Sequence, residues 1–157
     1  MKIWFIADTH FFHGNIIKYC SRPFYNYKEM NEVLIKNWNS KVSPEDIVFH
    51  LGDFSFGHKD KIKQITDQLN GIIFLIKGNH DVKEYLEECG IFVIEGQLFY
   101  KNYILTHYPL PKEEIPEGYI NLHGHIHHNE SFHGINVSVE KTNFSPISLT
   151  QVLELKR

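Results

Sequence analysis

The stretch Lys2-Ile3-Trp4-Phe5-Ile6-Ala7-Asp8-Thr9-His10 is a short apolar run that ends on two residues able to ligate a metal. Runs of this kind, rich in Ile, Val, Phe and Tyr, read as strands buried in a sheet. Four more runs along the chain repeat the pattern. DIVFHLG delivers Asp53, IIFLIKG delivers Asn79, YILT delivers His107, and YINLHG delivers His125 with His127 two residues on. In open α/β sheets the ligand site lies outside the carboxyl ends of the strands. One ligand-type residue after one strand means little. Five in series put Asp8, His10, Asp53, Asn79, His107, His125 and His127 on one edge of the fold, and that pattern reads as a two-metal hydrolytic site.

The spacings fit the chemistry. Asp8 and His10 stand at i and i+2, as do His125 and His127. In extended backbone such pairs point the same way, with Cα atoms about 6.5–7 Å apart, so both side chains converge on one ion. The glycines before Asp53, Asn79 and His125 are consistent with sharp turns at strand ends. Carboxylate oxygen with imidazole nitrogen suits manganese, iron, zinc or nickel, with manganese favoured here; without thiolate ligands a structural zinc knuckle does not fit. Two dications, less two carboxylates and a bridging hydroxide, leave about one positive charge for an anionic group such as a phosphate diester. Metals about 3.5–4 Å apart activate water and stabilise both ends of an in-line displacement at phosphorus.

Composition supports one compact enzyme. The chain has 157 residues, 42% hydrophobic and 22% charged, and is expected to form one domain over its whole length. A net charge of −3 gives no basic field for duplex nucleic acid. Eleven histidines stand beside only two cysteines, Cys20 and Cys89, which form no CxxC pair and suit a reducing compartment. The first apolar stretch is too short for a signal-peptide core and no run approaches a membrane span, so a cytoplasmic protein is expected.

The predicted order is strand 2–7, helix 15–20 capped by Asn15, helix 29–39, strand 47–51, helix 59–69, strand 72–77 and helix 84–89 closed by Gly90. Short strands follow at 91–94, 98–100, 103–106, 119–122 and 134–139. Residues 148–155 fit a helix or a strand equally. The result is an α/β domain with two sheet regions.

The ordered string Asp8-x-His10, Gly52-Asp53, Gly78-Asn79-His80-Asp81, His107, Gly124-His125-x-His127 resembles the calcineurin-like metallophosphoesterase superfamily. The resemblance covers nearly the whole chain, and five motif blocks in the right order are highly specific. It implies a mixed β-sandwich of two sheets flanked by helices, around a dinuclear centre. By that analogy one metal takes Asp8, His10 and His127, the other takes Asn79, His107 and His125, and Asp53 bridges both. His80 then stabilises the phosphoryl group or protonates the leaving oxygen, a general-acid role suited to an imidazole. After Asp53 the chain reads Phe54-Ser55-Phe56-Gly57, without the Asp-Arg-Gly ending of the serine/threonine protein phosphatases. It is similar to the small bacterial, archaeal or phage phosphoesterases, which lack cap domains.

Other residues carry paired readings. His13 and Asn15 are candidate phosphate contacts, or a loop histidine and a helix N-cap. Arg22 is a candidate phosphate contact or a solvated arginine before a proline. His50 and His123 lie within strands and read as core or supporting groups, while His58, His128 and His133 read as rim residues. Phe11, Phe12, Phe24, Tyr25 and Tyr27 either stack a nucleobase, fill the core or pack a homo-oligomer. The favoured function is a metal-dependent phosphoesterase with a diester substrate, a nucleotide among the options. The alternative is a silent scaffold of this superfamily that binds a protein partner.

Overall fold

Strand β1 (Ile3–Ile6) runs parallel to β2 (Ile47–His50), β2 to β3 (Ile72–Ile76), and β3 to β4 (Phe92–Ile94). A second sheet holds β5 (Gln97–Tyr100), β6 (Tyr103–Thr106), β7 (Ile120–His123) and β8 (Gly134–Asn136) in chain order, with β5 and β6 antiparallel. Strand β9 (Ile147–Ser148) returns antiparallel to β1, so the first sheet runs β4-β3-β2-β1-β9. The structure is a computed structural model and describes residues 1–155. It is a mixed α/β fold of two mixed sheets flanked by helices.

Period-two alternation in β1 explains the layering. Trp4 and Ile6 point to a cluster shared with the helices, whereas Phe5 and Ala7 point to a cluster between the two sheets. The same split places Val48, Ile73 and Leu75 on the helix side and Phe49, Leu51 and Ile76 on the sheet side. Both faces of the first sheet are buried, and its strands read as continuous apolar runs for that reason. The helices are α1 (Gly14–Tyr19), α2 (Tyr27–Asn39), α3 (Lys59–Thr66), α4 (Lys83–Glu88) and α5 (Leu149–Glu154). Helix α2 buries Met30, Leu34 and Trp38 at i, i+4 and i+8, and α3 buries Ile62 and Ile65. Among the described residues no helix is long and apolar enough to cross a membrane.

Three local readings need correction. Asn15 does not cap α1: the N-cap position is His13, and Asn15 sits exposed in the first turn. Helix α2 starts at Tyr27, because the Asn26 side chain accepts from the Glu29 N–H. Residues 148–155 are both strand and helix in succession; Ser148 and Gln151 form a capping box where one gives way to the other.

Asp46 ties the start of the sheet together. Its carboxylate accepts from Lys2 N at 2.7 Å, Ser43 N at 3.0 Å and Trp4 Nε1 at 3.0 Å. The Ser43 and Trp4 donors, with Lys2 behind them, pull its carboxyl down to about 2. A depressed carboxyl stabilises the fold above its unfolded pKa of about 3.9 and loses that contribution as pH falls through the folded value. Asp46→Asn is therefore expected to lower the unfolding midpoint at pH 7. Thermal melts at stepped pH should also show a flatter acid limb between about pH 4 and pH 2. An unchanged acid limb would contradict this assignment.

Candidate metal centre

Each strand end supplies its residue to the same edge. Asp8 follows β1, Asp53 follows β2, Asn79 follows β3, His107 follows β6, and His125 and His127 follow β7. The two sheets meet there, since Ala7 N–H donates to Val137 O and Val139 N–H to Ala7 O, both at 3.0 Å. The backbone that aims these side chains is not extended. Asp8, His10, Asp53, His125 and His127 have φ of 57°, 49°, 57°, 71° and 52°. Convergence of the i and i+2 pairs thus comes from left-handed turns, contrary to the extended reading. Such residues cost about 1–3 kcal/mol each and persist only where their surroundings over-determine them.

Two of the glycines are explained by close approach and not by turning. A Cβ at Gly78 would collide with the Asp53 carboxylate and backbone, and one at Gly124 with the Asp8 carboxylate and Ala7. Gly52, with φ 94°, does turn in the left-handed region.

The ligand atoms of Asp8, His10 and His127 lie within 4.8 Å of one another, and so do those of Asp53, His107 and His125. Asp53 Oδ2 stands between the groups, 3.5 Å from His10 Nε2 and 3.4 Å from His107 Nε2. The Leu51 carbonyl lies 2.7 Å from His107 Nδ1 and accepts its proton, which leaves Nε2 to face Asn79 Oδ1 at 3.0 Å. Glu140 does the same for His127 Nδ1 at 3.1 Å.

Asp8 uses only one oxygen: Oδ2 accepts from His125 N at 2.9 Å and Ser138 Oγ at 2.8 Å. Its Oδ1 and His10 Nε2 are buried and make no hydrogen bond among the described residues. Burial pushes the Asp8 carboxyl up to about 6 and the His10 imidazole down to about 4. Burial also opposes charge on Asp53, but the His10 and His107 imidazoles on either side of it outweigh that and hold its carboxyl well below the usual carboxylate range. Orphaned, dehydrated oxygen and nitrogen atoms that face each other are what a pair of cations would satisfy. The donor set fits divalent metals.

His80 is exposed at this edge; its backbone N–H donates to Asp53 Oδ1 at 2.9 Å and its ring lies 5.4 Å from that of His10. His13 also comes to the site, with Nδ1 3.0 Å from His10 Nδ1 and its ring stacked on Phe56 at 4.6 Å. Asn15 is exposed and makes no side-chain hydrogen bond to these groups among the described residues. Arg22 is not solvated, and its donors are turned away from the entrance. Its side chain is buried, donating to the carbonyls of Asp8 (2.7 Å) and Thr9 (3.0 Å) and pairing with Glu140 Oε1 at 2.7 Å. It braces the left-handed turn from below, and the reason is electrostatic: two strained carbonyls and a carboxylate need one forked donor.

The aromatic cluster packs instead of lining the entrance. Phe11 is fully buried against Phe54, Phe12 leans on Tyr27 and Lys61, Phe24 meets Phe144, and Tyr25 is exposed. Aromatics at the metal edge include Phe56 and Tyr19, both exposed beside His13, and Tyr108, half exposed with its ring 4.4 Å from that of His125.

His50 is buried, with Gly52 N donating to its Nδ1 and Thr9 Oγ1 at 2.9 Å from its Nε2. His123 is likewise taken up by Gly124 O and Ser131 Oγ. His58 sits against Tyr85, while His128 and His133 are exposed. Ser138, Glu140 and Cys20 are supporting residues that no spacing signalled, and Asp81 stood in the Gly78–Asp81 block without a role. Asp81 accepts from the backbone N–H groups of Asp53, Phe54 and Gly78, clamping the turns after β2 and β3 together.

An uncharacterized protein of Methanocaldococcus jannaschii is 42% identical over an alignment spanning 98% of this chain and 90% of that one. A protein of unknown function from Aquifex aeolicus superposes with a TM-score of 0.76 at 28% identity, covering 98% of each chain. A Pseudomonas putida nuclease shares the fold at a TM-score of 0.56 and 20% identity, over 80% of this chain and 61% of its own. Residues 1–151 match the family model for calcineurin-like phosphoesterases, and the chain belongs to that family.

Proposed function

We propose that the protein is a dinuclear-metal phosphoesterase that hydrolyses phosphodiesters in preference to phosphomonoesters. The observation that carries this reading is Asp53 Oδ2, set between His10 Nε2 and His107 Nε2 at 3.5 and 3.4 Å with a ligand group on either side. Asp8, His10 and His127 would hold one ion and Asn79, His107 and His125 the other, with Asp53 shared. Bound divalent ions, manganese favoured, supply charge neutralisation at phosphorus and water that is acidic enough to attack. Glu140 and the Leu51 carbonyl hold His127 and His107 in the tautomer that presents Nε2. His80, exposed beside this pair, delivers a proton to the departing ester oxygen.

The diester preference follows from charge. A doubly charged monoester gains from additional cations at the entrance, and Arg22 is turned inward to the Asp8 and Thr9 carbonyls. Hydrolysis of bis-p-nitrophenyl phosphate beside p-nitrophenyl phosphate, with manganese present, tests both activity and preference. Faster turnover of the monoester would reverse the substrate assignment, and no turnover of either would favour the scaffold alternative.

The role of His80 has its own test. His80→Ala is expected to keep both ions and to lose about 10²–10⁴-fold in kcat, the usual worth of a general acid. The loss should shrink as the leaving group becomes more acidic, because such groups depart without a proton. An equal loss across a leaving-group series would remove the acid role and leave phosphoryl stabilisation.

A further inference from the structure

Beside the proposed hydrolytic centre lies a second group of ligand atoms of different chemistry. Cys20 Sγ, a ring nitrogen of His127 and a carboxylate oxygen of Glu140 lie within 4.8 Å of one another. The group shares only His127 with the hydrolytic set. Glu140 is buried, its side chain 6% exposed, and its two oxygens are used unequally. Oε1 accepts from Arg22 Nε at 2.9 Å and faces Arg22 Nη2 at 2.7 Å and His127 Nδ1 at 3.1 Å. Oε2 is enclosed and has no hydrogen-bond partner among the described residues. A buried, unpartnered carboxylate oxygen beside a thiol and an imidazole is an incomplete polar site.

We propose that Cys20, His127 and Glu140 form a site for a zinc-class dication, distinct in ligand chemistry from the hydrolytic pair. Thiolate selects zinc and softer metals over manganese, whereas the all-oxygen-and-nitrogen set beside it accepts manganese. Charge permits occupancy: a dication with the thiolate, the carboxylate and the Arg22 guanidinium sums to one positive charge. On binding, the Cys20 thiol releases a proton to solvent, the His127 proton moves from Nδ1 to Nε2 so that the ring stays neutral, and the Oε2 lone pair gains a partner.

Because His127 Nδ1 otherwise holds the ring through Glu140, an ion there competes for the imidazole that the hydrolytic centre uses. That consequence is regulation by zinc and rests on the proposed phosphoesterase reading; the site itself does not.

The test begins with Cys89→Ser protein, in which Cys20 is the one remaining thiol. Cys20 alkylation is followed after loading with manganese, with and without stoichiometric zinc. Zinc is expected to slow alkylation at least about tenfold and manganese to leave it unchanged, since loss of a single supporting group in a metal site already changes affinity about 10–100-fold. Cobalt(II), used as a zinc probe, should give a near-ultraviolet thiolate-to-cobalt charge-transfer band that the Cys20→Ser/Cys89→Ser protein lacks. Equal alkylation with either metal, or no such band in Cys89→Ser protein, overturns the site; the alkylation result stands without the double variant, should that fail to fold. Neither readout requires turnover, so failure of the site and failure of the phosphoesterase reading are told apart. For the regulatory consequence, Cys20→Ser should raise the zinc concentration that halves diester hydrolysis by about tenfold. An unchanged midpoint overturns the competition for His127.

Discussion

Asp53→Asn is expected to weaken both ion positions together and to abolish diester hydrolysis. The carboxylate oxygen Oδ2 faces His10 on one side and His107 on the other, so neither ligand group is complete without it. Loss of a group that merely supports a ligand typically costs about 10–100-fold in metal affinity or activity. A ligand shared by two ions should cost more than that in each. The substitution preserves shape, and the backbone bonds from Asp53 N to Asp81 and from His10 N to Asp53 O do not depend on the side-chain charge. Circular dichroism should therefore report a folded protein while elemental analysis reports manganese lost from both positions. A variant that kept one full equivalent would contradict a shared role for Asp53.

Arg22→Ala is expected to be the most destabilising single change near the site. Removing the guanidinium leaves buried Glu140 with only the His127 Nδ1–H as a partner, and strips the Asp8 and Thr9 carbonyls of their donors. Breaking one partner of a buried ion pair costs about 3–5 kcal/mol. For a chain of this size that corresponds to a fall of roughly 6–20 °C in Tm. Arg22→Lys should recover only part of the loss, because an ammonium cannot fork between two carbonyls and a carboxylate. Thermal denaturation beside steady-state kinetics checks the assignment. An unchanged Tm with a raised KM would instead restore Arg22 as a substrate contact.

Arg22 marks the boundary of what the sequence discloses. The strands were legible because burial on both faces writes a continuous apolar run, and β1, β2, β3, β6 and β7 each end beside a residue of the site. Helix α2 was legible from Met30, Leu34 and Trp38, though its start was missed despite the Asn26 and Glu29 pair that marks it. Those signals are local in the chain. The Arg22–Glu140 pair spans 118 positions, and Ser138 reaches Asp8 across 130. Periodicity carries no information on such partners. The same holds for the aromatic residues: a run such as Phe11-Phe12 is identical on paper whether it stacks a base or, as here, packs against Phe54 and Tyr27. Left-handed φ at Asp8, His10, His125 and His127 also escaped, because the residues are not glycine and tertiary hydrogen bonds hold them there.

The central claim is a pair of ions acting together on a phosphate ester, and a single titration addresses it. Manganese is added stepwise to chelator-stripped protein while bound metal and bis-p-nitrophenyl phosphate hydrolysis are recorded on the same samples. Turnover is expected to be negligible below one equivalent and to rise to a plateau as the second equivalent binds. A plateau reached at one equivalent, or two equivalents bound with no hydrolysis, would contradict it.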